Sequence, residues 1–154
     1  MEIRRIKSHE TNLVIRLFDK YRVFYKQATD IVLAEHFIQT RLDNNESVIF
    51  VAIIEDKGKK EPAGFTQLYP TYSSVRVVKN WILNDLYVDA GYRKQGIGEK
   101  LIKTAMEFAR ADGAKFVELS TAWDNYTAQR LYETIGFDKQ MPGNDFFTYR
   151  LNLH

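Results

Sequence analysis

Residues Arg93-Lys94-Gln95-Gly96-Ile97-Gly98 stand between a strand-like apolar run, Trp81 to Val88, and a run with helical periodicity, Glu99 to Asp112. This junction constrains the chain more than any other stretch. Glycines let a ligand approach the backbone, and the first-turn amides of a helix lack intrahelical partners and point, with the helix dipole, toward an anion. Arg93 and Lys94 add mobile positive charge. An isolated Gly-x-Gly is equally a turn and a helix start. The residues that follow exclude two familiar phosphate loops. A dinucleotide fingerprint needs a third glycine where Leu101 stands, and a nucleotide-triphosphatase loop needs Gly-Lys-Ser/Thr where Gly98 precedes Glu99-Lys100.

What remains, Arg-x-x-Gly-x-Gly after a strand, resembles the pyrophosphate signature of the GNAT superfamily, the acyl-CoA-dependent N-acyltransferases. A second block is similar to that family's later motif: Asn125-Tyr126-Thr127-Ala128-Gln129-Arg130-Leu131-Tyr132, then Glu133-Thr134-Ile135-Gly136-Phe137. The two blocks occur in the family's order, and the resemblance is specific from about Trp81 to Phe137. Before that it rests on element order alone.

A chain of 154 residues, 45% hydrophobic, suits one globular domain spanning 1–154 with a sizeable core. The formal charge of +2, from 22 basic and 20 acidic residues, is too balanced for a nucleic-acid footprint, so the basic loop reads as a local anion site. The absence of cysteine excludes disulfides and thiolate metal sites, and His9, His36 and His154 show no ligand spacing, so no metal is expected. The N-terminal Met1-Glu2-Ile3-Arg4-Arg5 is not followed by an apolar stretch of signal-peptide length and no segment approaches a membrane span, so the expected protein is cytoplasmic, without a membrane partner; a homodimer stays open.

Ile3 to Ile6 reads as a first strand, followed by a helix capped by Ser8 and running to about Tyr25, and a second helix from Asp30 to Leu42. Ser47 to Ile54 and Ala63 to Tyr69 form a hairpin around a long charged turn, Glu55 to Pro62, and Pro70 to Ser74 leaves the ladder as a turn. The strand ending at Val88, the helix ending before Gly113 and the strand Phe116 to Ser120 predict a parallel pairing with a crossover helix. A helix from Asn125 to Ile135 stops at Gly136, and Phe137 to Lys139 with Phe146 to Leu153 closes the sheet as an antiparallel pair. Element order and resemblance together predict an α/β, GNAT-like domain: a central, mixed, mostly antiparallel sheet, its middle strands splayed, flanked by helices.

Acyl-CoA joins a pyrophosphate to a pantetheine arm carrying amides and a thioester, and so calls for an anion cradle beside a strip of strand-edge hydrogen bonds. The resemblance implies that Arg93, Lys94, Gln95, Gly96, Ile97 and Gly98 hold the pyrophosphate, and that the main chain of Leu86, Tyr87 and Val88 pairs with the arm. It also implies that Tyr132 donates a proton to the departing thiolate, and that Asn125 contacts acetyl-CoA. Tyr132 is alternatively a packing residue, and Asn125 a helix N-terminal residue beside Asp124. An amine acceptor must lose a proton, and Asp85 is the carboxylate nearest the cofactor strip; it can equally be a hydrogen-bonded structural group. In the polyamine-acetylating branch a Glu stands where this chain has Asn84, so a polyamine acceptor is disfavoured. Tyr69, Tyr72, Phe24 and Tyr25 are candidates to line the acceptor pocket, though packing explains such residues as well.

The expected activity is direct acetyl transfer from acetyl-CoA to a primary amine of a small molecule or peptide, with the oxyanion held by a backbone N–H near Val88. Two rivals remain. One is a non-catalytic acyl-CoA-binding regulatory module; the other, a nucleic-acid-binding domain using Arg93, Lys94, Lys100 and Lys103, is opposed by the charge balance.

Overall fold

The computed structural model describes residues 1–143 and 145–154, which fall into two compact units, Met1–Ser120 and Thr121–His154. In the first unit, β1 (Glu2–Arg5) leads through a 3-10 segment (Ser8–Leu13) to α1 (Ile15–Phe24) and α2 (Ile31–Asp43). Next come β2 (Val48–Asp56), β3 (Lys59–Ser73), β4 (Val78–Val88), α3 (Ile97–Ala111) and β5 (Val117–Glu118). The five strands lie in sequence order, every neighbour antiparallel except the parallel pair β4–β5.

Strand alternation divides the side chains between two faces. Ile49, Val51 and Phe65 join Val14, Leu17, Phe18, Ala34 and Ile38 in one core beneath α1 and α2. Phe50 and Trp81 point to the other face, where both rings meet Phe108 of α3 at 5.8 and 5.1 Å. The helix pair and α3 thus cover opposite faces of the sheet.

Five local expectations need correction. The helix expected from Ser8 to Tyr25 is broken at Val14 (φ −120°, ψ −20°), where a 3-10 segment gives way to α1. Buried Thr11 donates its hydroxyl to Gln39 of α2 at 2.8 Å, so a tertiary bond holds the first turn out of helical register. The cap is Lys7 rather than Ser8: its N–H donates to the Glu10 carboxylate at 3.1 Å.

The long turn expected at Glu55 to Pro62 is only Lys57-Gly58. Both residues have left-handed φ, 51° and 77°, as a two-residue primed turn requires, and the charged residues after them continue as β3. Pro70 also stays in its strand. Its partner Trp81 donates its N–H to Phe116 O on the β5 side, so Pro70's missing donor faces away from β4, where β2 has already ended at the Val48–Leu68 pair.

The second unit contains α4 (Tyr126–Ile135), stopped by left-handed Gly136 at φ 119°. The antiparallel pair expected of 137–139 and 146–153 does not form among the described residues, and Phe147, Tyr149, Leu151 and Leu153 remain at least 80% exposed. A two-stranded ribbon without a packed face is marginal in water. Asn144, in the turn expected between those strands, lies outside the described residues.

Candidate active site

Two irregularities of β4 build the site. The first is a bulge. Gln67 pairs with Asp85 but Leu68 pairs with Leu83, leaving Asn84 as the extra residue. That insertion returns Asp85 to the face shared by Phe65, Gln67 and Tyr87, beneath the helix pair, instead of sending it toward α3.

The second is the end of pairing on the other edge of β4. Its ladder with β5 comprises only Trp81–Val117 and Ile82–Glu118, after which β4 continues alone to Val88. Asp89 donates its N–H to Ala63 O at 2.8 Å, so alternation turns the main chain of Asp85 and Tyr87 toward β3 and that of Leu86 and Val88 to the open edge. Arg93 Nε donates to Val88 O at 2.9 Å, occupying that carbonyl and leaving the Val88 N–H directed outward.

The loop that follows enters α3 through two left-handed residues, Lys94 (φ 64°) and Gly96 (φ 77°), after an extended Arg93 (φ −71°, ψ 162°). Gly96 is the N-cap and supplies no side-chain oxygen, so no cap bond competes for the first-turn amides. Glu99, the acidic residue of that turn, reaches forward to Lys103 at 2.8 Å. Gly64 fixes the distance between this turn and β4: a Cβ there would stand 2.8 Å from Tyr87 O, 3.3 Å from Val88 Cγ2 and 3.4 Å from Ile97 Cγ2.

Asp85 is 4% exposed and well supplied with donors. Gln67 Nε2 donates to its Oδ2 at 2.5 Å, Asn84 Nδ2 to its Oδ1 at 3.0 Å, and the Tyr21 hydroxyl also bonds it. Gln67 is itself held by the Ser47 hydroxyl, which donates to Oε1 at 2.8 Å. Burial nevertheless dominates and raises the Asp85 carboxyl above the ordinary aspartate range, with the three hydrogen bonds opposing. The adjacent phenols stay protonated: burial first, then the Asp85 charge, pushes Tyr21 strongly upward and Tyr69 to about 12. A carboxylate made more basic by burial and two phenols held neutral, able to donate hydrogen bonds but poor as acids, therefore share a small volume.

The first unit brings together Asp85, the open edge at Leu86 and Val88, and the loop from Arg93 to Gly98. Tyr132 and Asn125 lie on the second unit. Asn125 is the N-cap of α4, its side chain accepting from Ala128 N–H at 3.2 Å, and Tyr132 packs edge-on against Phe137 with centroids 6.0 Å apart. Of the candidate acceptor residues, Tyr69 lies on the Asp85 face, whereas Tyr72 falls on the opposite one, its ring beneath Lys79 Nζ at 6.0 Å.

Gln67, Ser47 and Tyr21 are site residues that reading the chain did not find. Gln67 alternates with Phe65 and Tyr69 in an apolar run, and a polar residue at a core position is a usable signal. Its partner is fixed only by strand register. Among the described residues no cluster of His, Asp and Glu could hold a metal ion, and no helix is long and apolar enough to cross a membrane.

Residues 13–137 match the acetyltransferase (GNAT) family. The chain is 42% identical, over 99% of its length and 98% of the relative's, to the uncharacterized N-acetyltransferase YhfO of Bacillus subtilis (strain 168). It is 24% identical, over 98% of its length and 91% of the relative's, to a thialysine N-epsilon-acetyltransferase of Caenorhabditis elegans. A crystal structure of a probable acetyltransferase superposes with a TM-score of 0.87 at 35% identity, covering 100% of this chain and 99% of the other.

Proposed function

Because the chain belongs to the GNAT family of acetyltransferases, we propose that this acyl-CoA-dependent N-acetyltransferase moves acetyl directly to a primary amine of a small molecule or peptide. The observation that carries the reading is the conjunction at the end of β4. An unpaired strand edge from Leu83 to Val88 runs into a helix start whose amides have no side-chain cap.

Acetyl-CoA, when bound, supplies the acetyl thioester. Amides of the loop from Arg93 to Gly98, with Arg93 and Lys94, hold its pyrophosphate, and the main chain of Leu86 and Val88 pairs with its amide-bearing arm. The outward N–H of Val88 is the donor for the oxyanion that develops as the amine attacks. Asp85, oriented by Gln67 and Asn84, takes the amine's proton, and Tyr132 returns one to the leaving sulfur. These groups supply the proton transfers and charge stabilisation that thioester aminolysis needs. Asn125 caps α4, and its contact with acetyl-CoA belongs to the same proposal. The family match crosses the boundary at Ser120, which supports reading 1–154 as one acetyltransferase domain.

Thiol release from acetyl-CoA across a panel of primary amines tests the transfer. Calorimetry with CoA and with a pantetheine fragment lacking the pyrophosphate tests the loop. Equal affinity for both would reduce the loop to a helix start, and CoA binding without thiol release from any amine would favour a binding module.

A further inference from the structure

On the same face as Asp85, four aromatic rings touch in a closed circuit. Tyr21 meets Tyr25 at 5.0 Å, Tyr25 meets Phe24 at 5.3 Å, Phe24 meets Tyr87 at 6.5 Å and Tyr87 meets Tyr21 at 6.3 Å. One member, Tyr21, is hydrogen-bonded to Asp85. Two others are open to solvent, Phe24 and Tyr25 each at 57% exposure, with exposed Val23 beside Phe24. Beside them opens a cavity of about 470 Å³ lined by Asp19, Lys20, Val23, Phe24, Thr29 and Tyr87.

The charges around this surface are unevenly engaged. Asp19 accepts from Thr29 and from the Asp30 N–H, and Asp89 is bound by Lys20 at 2.6 Å. The Asp19 carboxylate also lies 4.0 Å from Arg22, and the Arg93 guanidinium lies 5.9 Å from the Phe24 ring and 5.6 Å from that of Tyr87. Among the described residues Asp85 has no cationic partner; its donors are the neutral groups of Gln67, Asn84 and Tyr21.

Building on the acetyl-transfer reading, we propose that the acceptor is a monoamine with an apolar, preferentially aromatic body, its amine directed to Asp85 and its body seated on Phe24, Tyr25 and Tyr87. An ammonium approaching Asp85 meets phenol and phenyl faces, which favour a single cation. A second ammonium meets the Arg93 guanidinium beside Phe24 and Tyr87 and finds Asp19 and Asp89 already engaged, so polyamines and aminosugars are disfavoured. A hydroxylated body forfeits the apolar contact.

The test uses the full-length protein saturated with CoA, titrated calorimetrically with phenethylamine, ethanolamine and spermidine, alongside thiol release from acetyl-CoA with each amine. Covering about half of a phenyl ring predicts affinity and kcat/KM about 30-fold higher for phenethylamine than for ethanolamine. Phe24→Ala raises the Kd and KM for phenethylamine about 10-fold, and Phe24→Leu restores most of the loss; at 57% exposure neither change threatens the fold. Spermidine or ethanolamine performing as well as phenethylamine overturns the inference while acetyl transfer stands. Preferential binding of phenethylamine without thiol release supports the recognition surface and removes the transfer reading. Absence of binding and of turnover with phenethylamine overturns the inference.

Discussion

Replacing Gly64 by alanine inserts one methyl group where β3, the end of β4 and the first turn of α3 converge. The nearest atom to the new Cβ is Tyr87 O at 2.8 Å, a backbone oxygen locked in the sheet that no rotamer change can move aside. Val88 Cγ2 at 3.3 Å and Ile97 Cγ2 at 3.4 Å stand beyond it, one on each element that must separate. Overpacking of this kind costs about 1–3 kcal/mol, whereas removing a glycine's freedom from the unfolded chain returns about 0.4–1 kcal/mol. The steric cost wins, with a net loss of about 1–2 kcal/mol. At about 2–4 °C per kcal/mol for a chain of this size, Tm falls by about 2–8 °C. Moving the β4 end away from the helix start also separates the strand edge from the anion loop, so CoA affinity falls at temperatures where the variant is fully folded. Scanning calorimetry and CoA titration measure the two effects. Gly91→Ala is the control, because nothing lies within 4 Å of its Cβ position. An unchanged Tm for Gly64→Ala, with CoA affinity within twofold of the parent, would refute the spacing argument.

Asp85→Asn keeps the shape of the site but removes the proposed base, and a loss of about 10²–10⁴ in kcat/KM is expected. Because burial raises the Asp85 carboxyl, parent activity climbs with pH through a limb lying above the ordinary aspartate range, and the variant's pH–rate profile should lack that limb. The same shift favours the protonated form in the folded state, so its stabilising effect is present at low pH and lost as pH rises toward the raised pKa, a trend urea titrations across that window can follow. Tyr132→Phe is expected to retain CoA affinity and lose about 10- to 1,000-fold in turnover at saturating amine, with a thermal scan as control; unchanged turnover in the folded variant would return Tyr132 to packing. Asn125→Ala removes the α4 cap and about 1 kcal/mol of stability, while any change in CoA affinity at fixed folded fraction reports a separate cofactor contact. Dialysis against a chelator should leave turnover unchanged, and recovery of lost activity by one divalent ion would show a metal requirement.

The chain's local signals concern single elements and the residues at their ends. Gly96 at a helix start, Gly113 and Gly136 at helix ends and the β-rich apolar run of β2 were readable because each depends on its own backbone conformation or composition, and the structure gives all three glycines positive φ. The two motif blocks placed the family for the same reason, since an anion loop must be continuous in sequence. Reading failed where a local rule met a distant partner. Thr11 breaks the first helix through Gln39, 28 residues on, and Pro70 remains in a strand because β2 has ended beside it. The charged run after Gly58 becomes strand because Lys57 accepts a left-handed φ that its residue type does not advertise.

The candidate site divides along the same line. Sequence alone singled out Asp85, near the end of a strand, and the loop from Arg93 to Gly98 as candidates. Only the tertiary structure decided which way Asp85 faces, because one unpaired residue, Asn84, reverses the parity of β4 and sets the carboxylate against Gln67, Tyr21 and Tyr69. Faces of a sheet alternate with a period of two, so an insertion that leaves composition and hydrophobic pattern nearly unchanged determines whether a carboxylate lies under the helix pair or toward α3.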